Sequence, residues 1–133
     1  MQGLDSAQCQ RLLQVLNLHR LQAGEALFLE GDPGDSLYVL AQGSISIVGA
    51  NGQRFVSYSA GTLFGELSLI DKQPRSACAL ADGDSEVLSL RREALDALAR
   101  SDPLLCQQVQ HNIAAQMSLR LRAASEAWRE AAA

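Results

Sequence analysis

The spacing of apolar positions changes character twice along the 133 residues. Residues 5–17, DSAQCQRLLQVLN, open with Asp5 and Gln8 at capping-box spacing and carry Cys9, Leu12, Leu13 and Leu16 at helical intervals. That pattern predicts a short amphipathic helix. From 18 to 90 the apolar runs shorten to EALFL, SLYVLAQG, SISIVGA, RFVSYSA, SACALA and SEVLSL. Turn residues divide them: Gly-Asp-Pro-Gly-Asp at 31–35, Gly43, Asn51-Gly52, Gly61 and Asp82-Gly83-Asp84. Many short strands between such turns predict an all-β sandwich or barrel. Asn51-Gly52 is the strongest local hairpin signal, read as a type I′ turn.

The last third, 91–130, is helical in pattern. RREALDALAR predicts one short helix over 91–100. Asp102 then reads as an N-cap and Pro103 as the first helical residue. Leu105, Val109, Ile113, Met117, Leu121, Ala124 and Trp128 form one apolar stripe on a longer helix. The fold class expected is mainly β with flanking α. It is an antiparallel, jelly-roll-like β-roll with a short N-terminal helix and two C-terminal helices, in a single domain over 1–133.

Composition narrows the function. A hydrophobic fraction of 47% and a charged fraction of 20% are those of an ordinary globule. The formal net charge of −4 offers no overall basic field for nucleic acid. Cys9, Cys78 and Cys106 are odd in number, widely spaced and without a CxxC, which argues against a disulfide framework and a zinc site. Each is expected to be a small buried hydrophobe. No apolar run reaches the ~18 residues of a membrane span, and no signal pattern opens the chain, so a cytoplasmic chain or a cytoplasmic part of a larger protein is expected.

Chemistry concentrates in residues 64–81, FGELSLIDKQPRSACALA. Glu66 and Arg75 could form a surface ion pair, worth only ~0–1 kcal/mol. They could also be two halves of one binding site. GELSLI has the length of one or two helical turns, and the free N–H groups at a helix start favour an anion. Gly65 allows close backbone approach. Arg75 adds a planar fork for two phosphate oxygens, and Ser76 adds a hydroxyl. Glu66 would repel phosphate but suits a neighbouring sugar hydroxyl. A single arginine fits a cyclic monophosphate better than a triphosphate, and no GxxxxGK[ST] occurs.

This segment resembles the phosphate-binding cassette of cyclic nucleotide-binding domains. LFLEGDPGDSLYVLAQGSISI over 27–47 resembles the same family's Gly-Asp turn, strand and glycine. The resemblance covers roughly 20–124, with both motifs in the family order. It implies that Glu66 holds the ribose 2′-hydroxyl and that Arg75 holds the exocyclic phosphate oxygens. Ser76 and the Gly65–Glu66 backbone complete the cradle, and Phe64, Leu67 and Ala77 complete the cassette (64–77). Gly31, Gly34, Gly43 and Gly61 match structural glycines. The long helix of the catabolite activators implies a contact from Ser125 to the adenine amino group, while Trp128 reads first as packing.

The implied function is a non-enzymatic regulatory domain that binds cAMP in preference to cGMP, with no cofactor and no metal. Binding would be relayed through the C-terminal helix to an attached or partner effector such as a channel, transporter or enzyme. The alternatives are a transcription-regulator fragment lacking its DNA-binding domain, and a degenerate protein-interaction domain. Enzyme readings lack support. His19 and His111 cannot supply a cupin metal set, and no Ser/His/Asp or Cys/His motif appears.

Overall fold

The computed structural model describes residues 3–65, 73–115 and 122. Helix α1 (Ser6–Val15) starts at Asp5, whose carboxylate accepts the Gln8 N–H at 2.7 Å while the Gln8 side chain accepts the Asp5 N–H at 3.1 Å. The capping box is therefore formed as the sequence implies. The helix stops short of the expected residue 17. Leu16 is extended, and Asn17 opens a strand that the apolar pattern did not reveal.

Among the described residues eight strands follow: β1 (Asn17–Leu21), β2 (Ala26–Phe28), β3 (Ser36–Gln42), β4 (Ser44–Val48), β5 (Arg54–Ser59), β6 (Leu63–Phe64), β7 (Cys78–Ala81) and β8 (Ser85–Arg91). They build two antiparallel four-stranded sheets, β1-β8-β3-β6 and β2-β7-β4-β5. Chain neighbours repeatedly land in different sheets, so the two sheets close over each other as a β-roll. Helix α2 (Arg92–Ser101) and helix α3, over 103–115, complete the described fold.

Alternation along the strands sorts side chains between two cores. Tyr38, Leu40, Ile45, Phe64, Ala79, Ala81 and Val87 meet between the sheets. Their neighbours Leu37, Leu63 and Leu90 point the other way and pack with Leu12, Leu98, Leu105, Cys106, Val109 and Ile113 of the helices. Register supports this, since Leu37 lies opposite Leu90 and Tyr38 opposite Ser89. The molecule is thus layered as helices, first sheet, second sheet. Truncating a core leucine such as Leu37 to Ala would cost ~2–5 kcal/mol.

Asp102 joins the helices. Its carboxylate accepts the Leu105 N–H at 3.3 Å and meets Arg11 at 2.7 Å, so the expected N-cap before Pro103 is present. Leu105, Val109 and Ile113 of the apolar stripe are buried. Met117, Leu121, Ala124, Ser125 and Trp128 lie outside the described residues.

The Asn51-Gly52 hairpin forms, but not as a two-residue type I′ turn. The closing bond runs from Gly49 N–H to Gln53 O at 2.8 Å, and Gly52 N–H donates to Gly49 O at 2.9 Å. Gly52 takes positive φ, at 82°, while the register slips between Ile47 and Val48. A three-residue loop with a bulge fits these bonds. Asn51 contributes its side-chain oxygen, which accepts the Gln53 N–H at 3.0 Å.

Cys106 is buried, Cys9 and Cys78 are half-buried, and all three are free thiols. Among the described residues no helix is long and apolar enough to cross a membrane.

Candidate functional site

Residues 73–77 return from the cassette to β7 beside the loop joining β2 to β3. Arg75 fastens the two together through its backbone. Its N–H donates to Asp32 O and its carbonyl accepts Gly31 N–H, both at 2.8 Å. The loop is itself held by the Asp32 carboxylate, which accepts the Leu29 N–H at 2.9 Å. The Gly-Asp turn is therefore a clasp for the cassette's end.

That clasp turns the Arg75 side chain inward, leaving the residue only 4% exposed. One terminal nitrogen donates to Gly65 O at 3.0 Å, and the other donates to Ser36 O. The guanidinium carbon lies 4.4 Å from the Phe28 ring centre and 5.4 Å from that of Tyr38. Nε is buried and has no hydrogen-bond partner among the described residues. Among the described residues no carboxylate lies within ion-pairing distance of this cation.

Such a group is unusual. An ionised side chain taken out of water is costly unless paired and hydrogen-bonded. Two carbonyls and the aromatic faces, each face worth ~0.5–2 kcal/mol, offset part of that cost. The unsatisfied Nε–H and the unneutralised charge both call for an anion. A side-on guanidinium fork, made by Nε and one terminal nitrogen, matches two oxygens of a phosphate.

The cation also marks Tyr38. Burial pushes the phenol above its ordinary value of 10.0, and the nearby Arg75 charge pulls it part of the way back. Tyr38 therefore stays neutral at ordinary pH and presents an uncharged ring to the guanidinium.

Behind this pair runs an aromatic stack. Phe28 stacks on Tyr38 at 5.7 Å, Tyr38 on Phe64 at 5.5 Å, and Phe64 on Tyr58 at 5.2 Å. The rings come from both sheets and fill the roll's interior, with Arg75 over one end.

Of the residues singled out in the sequence, the fold brings Phe64, Gly65, Arg75 and Ala77 together, with Ser76 at the surface. Phe64 belongs to the stack and Ala77 is buried. Gly65 has φ of 81°, and a Cβ there would meet Arg75 Nη1 at 3.0 Å and Tyr38 Cδ2 at 3.1 Å. Glycine is thus required by both conformation and crowding. Glu66, Leu67 and the helical turns expected of GELSLI lie outside the described residues, as does Ser125. Sequence reasoning passed over Phe28, Ser36 and Tyr38, although all three stand within the LFLEGDPGDSLYV motif. Their inward alternation was the available signal.

Comparison with known proteins agrees with this geometry. The sequence model described as "Cyclic nucleotide-binding domain" matches residues 18–102. The cyclic AMP receptor protein of Thermus thermophilus is 41% identical over 105 residues, covering 76% of this chain and 47% of that protein. The cAMP-dependent protein kinase regulatory subunit of Colletotrichum orbiculare is 33% identical over 99 residues, covering 74% of this chain and 25% of the subunit. The chain therefore spans less than half the length of these relatives. A crystal structure of a cyclic nucleotide-binding domain from Methylobacillus flagellatus superimposes with a TM-score of 0.86 at 27% identity, covering 95% of this chain and 74% of that one. With a β-roll, flanking helices and a matching family model over most of its length, the chain belongs to the cyclic nucleotide-binding domain family.

Proposed function

We propose that this chain is a sensor of cyclic nucleotide, with cAMP preferred over cGMP, and that Arg75 is its phosphate-binding residue. One observation carries the reading: a buried arginine has no carboxylate partner among the described residues and an Nε donor without an acceptor. Phosphate oxygens supply both charge and acceptor. Ser76 and the Gly65–Glu66 backbone add donors to the phosphate, and the Glu66 carboxylate accepts the ribose 2′-hydroxyl. Phe64, Leu67 and Ala77 shape the cassette, and Ser125 reaches the adenine amino group. The preference for cAMP draws support from the relatives, which are named a cyclic AMP receptor and a cAMP-dependent kinase subunit. Occupancy is passed through the C-terminal helix to an effector such as a channel, transporter or enzyme. The three free thiols fit a cytoplasmic setting.

Calorimetric titration with cAMP and cGMP tests this. A ligand that binds only the native state raises stability by RT ln(1 + [L]/Kd), or ~2.7 kcal/mol at a hundredfold excess over Kd. Arg75→Ala should lose ~2–5 kcal/mol of binding, and Arg75→Lys should recover part of it without the bidentate fork. No heat and no melting shift with either nucleotide at millimolar concentration would refute the reading.

A further inference from the structure

We infer that Phe28 and Tyr38 are positioning residues of the anion site, whose stacked rings hold the Arg75 guanidinium in place and leave its Nε edge for phosphate. The inference rests on the reading of Arg75 as the phosphate-binding residue. Three distances define the arrangement. The guanidinium carbon is 4.4 Å from one ring centre and 5.4 Å from the other, while the ring centres are 5.7 Å apart. These sides make a triangle, so the cation caps a stacked pair instead of sitting between two separated rings.

The capping fixes what the carbonyls leave free. Gly65 O and Ser36 O each take one terminal nitrogen and restrain the ends of the fork. The rings restrain the guanidinium from a third direction. Nε, buried and without a partner among the described residues, is the nitrogen left over. Phe28 comes from β2 in one sheet and Tyr38 from β3 in the other, so the seat exists only when the roll is closed. An ammonium on a flexible stem cannot use the seat in the same way, because it has neither the planar face nor the side-on fork.

The test is a double-mutant cycle read by cAMP titration. Parent, Phe28→Leu, Arg75→Lys and the double variant are compared, with melting curves to confirm folding. Phe28→Leu should weaken cAMP binding about 5- to 30-fold when Arg75 is present. In the Arg75→Lys background the same change should cost no more than about twofold. Phe28→Tyr and Tyr38→Phe keep the ring faces and should stay within about threefold of the parent. Equal losses in both backgrounds would overturn the inference, since Phe28 would then serve the nucleotide or the roll independently of the cation. The ligand-free protein gives a second reading by nitrogen-15 NMR. The Arg75 Nε–H resonance should be displaced from the free-arginine position and should return towards it in Phe28→Leu. A free-arginine position in the parent would overturn the inference. If the parent binds neither cAMP nor cGMP, the functional reading fails, and the resonance still decides whether the rings hold the cation.

Discussion

Gly65→Ala perturbs the site through one methyl group, and its effect can be worked out from two separable terms. The first is conformational. Gly65 has φ of 81°, and a left-handed alanine costs ~1–2 kcal/mol. The second is contact. The new Cβ would lie 3.0 Å from Arg75 Nη1 and 3.1 Å from Tyr38 Cδ2. Arginine usually yields easily, but this one is tied to Gly65 O, to Ser36 O and to two rings. Tyr38 is buried within the roll. The guanidinium must therefore shift, weakening a charge-assisted bond of a kind worth ~1.5–3 kcal/mol. The sum is ~2.5–5 kcal/mol of stability, read from urea unfolding. Gly61→Ala supplies the control, because Gly61 has φ of 93° and a Cβ there would meet nothing within 4 Å. It should lose only the conformational ~1–2 kcal/mol and leave cAMP affinity unaltered. Gly65→Ala should lower that affinity at least about tenfold, since it displaces the arginine proposed to hold the phosphate. Stabilities within about 0.5 kcal/mol of each other, with equal affinities, would refute the contact argument.

Three further outcomes are expected. Gly43 has φ of 95°, and a Cβ there would overlap Ser85 Oγ and stand 2.6 Å from the Asp84 carbonyl oxygen. Gly43→Ala should therefore cost about 3 kcal/mol or more in urea unfolding, and a loss below about 1 kcal/mol would contradict the packing. The Asp82 carboxyl is held below its ordinary 3.8, chiefly by the Ser44 hydroxyl, with Ser46 and the Arg54 charge adding to the effect. Its contribution is thus complete above pH 3.8 and is lost as pH falls through the lower folded value. In acid titrations of stability, Asp82→Asn should flatten that limb, and an unchanged limb would exclude the carboxylate as its source. Finally, the amides of Gly31, which donates to Arg75 O, and Arg92, which donates to Asp35 O, should exchange more slowly when nucleotide is bound. Unchanged exchange at both would place the response elsewhere.

The strand runs and turn glycines made most of the roll legible, because alternation and positive-φ turns are local properties. Strand β1 escaped because NLHRL does not alternate cleanly. His19 points towards the interior, where its ring nitrogen meets the Ser89 hydroxyl at 2.8 Å, so a polar residue occupies an apolar register position. The hairpin at Asn51-Gly52 was visible as a turn, but its type depends on where the loop closes, from Gly49 to Gln53, which no dipeptide encodes. Arg75 stood out by residue type and motif. Its seat did not, because Phe28 and Tyr38 are ten positions apart in the chain and meet only when strands of different sheets close over each other. A sequence shows each as one more core aromatic. The third dimension makes them a pair beneath a charge.

The position of that charge bears on how binding can be felt away from the phosphate. Arg75 is bonded by its backbone to residues 31 and 32, and by its side chain to Gly65 and Ser36. Drawing the guanidinium towards an anion therefore loads three segments at once. The segment 34–36 is the most consequential of them. Ser36 is paired with Arg91, Arg92 N–H donates to Asp35 O at 2.7 Å, and the Arg92 side chain donates to Gly34 O at 3.3 Å. Arg92 is also the first residue of α2, whose Leu98 packs in one cluster with Leu105 and Val109 of α3. An unbroken series of hydrogen bonds and packed side chains thus leads from the cation to the helix layer. Energetic coupling requires such a contiguous path together with an element that has two arrangements. The path begins at a donor without a partner, so the nucleotide does not need to break an ion pair among the described residues before it can pull on the path.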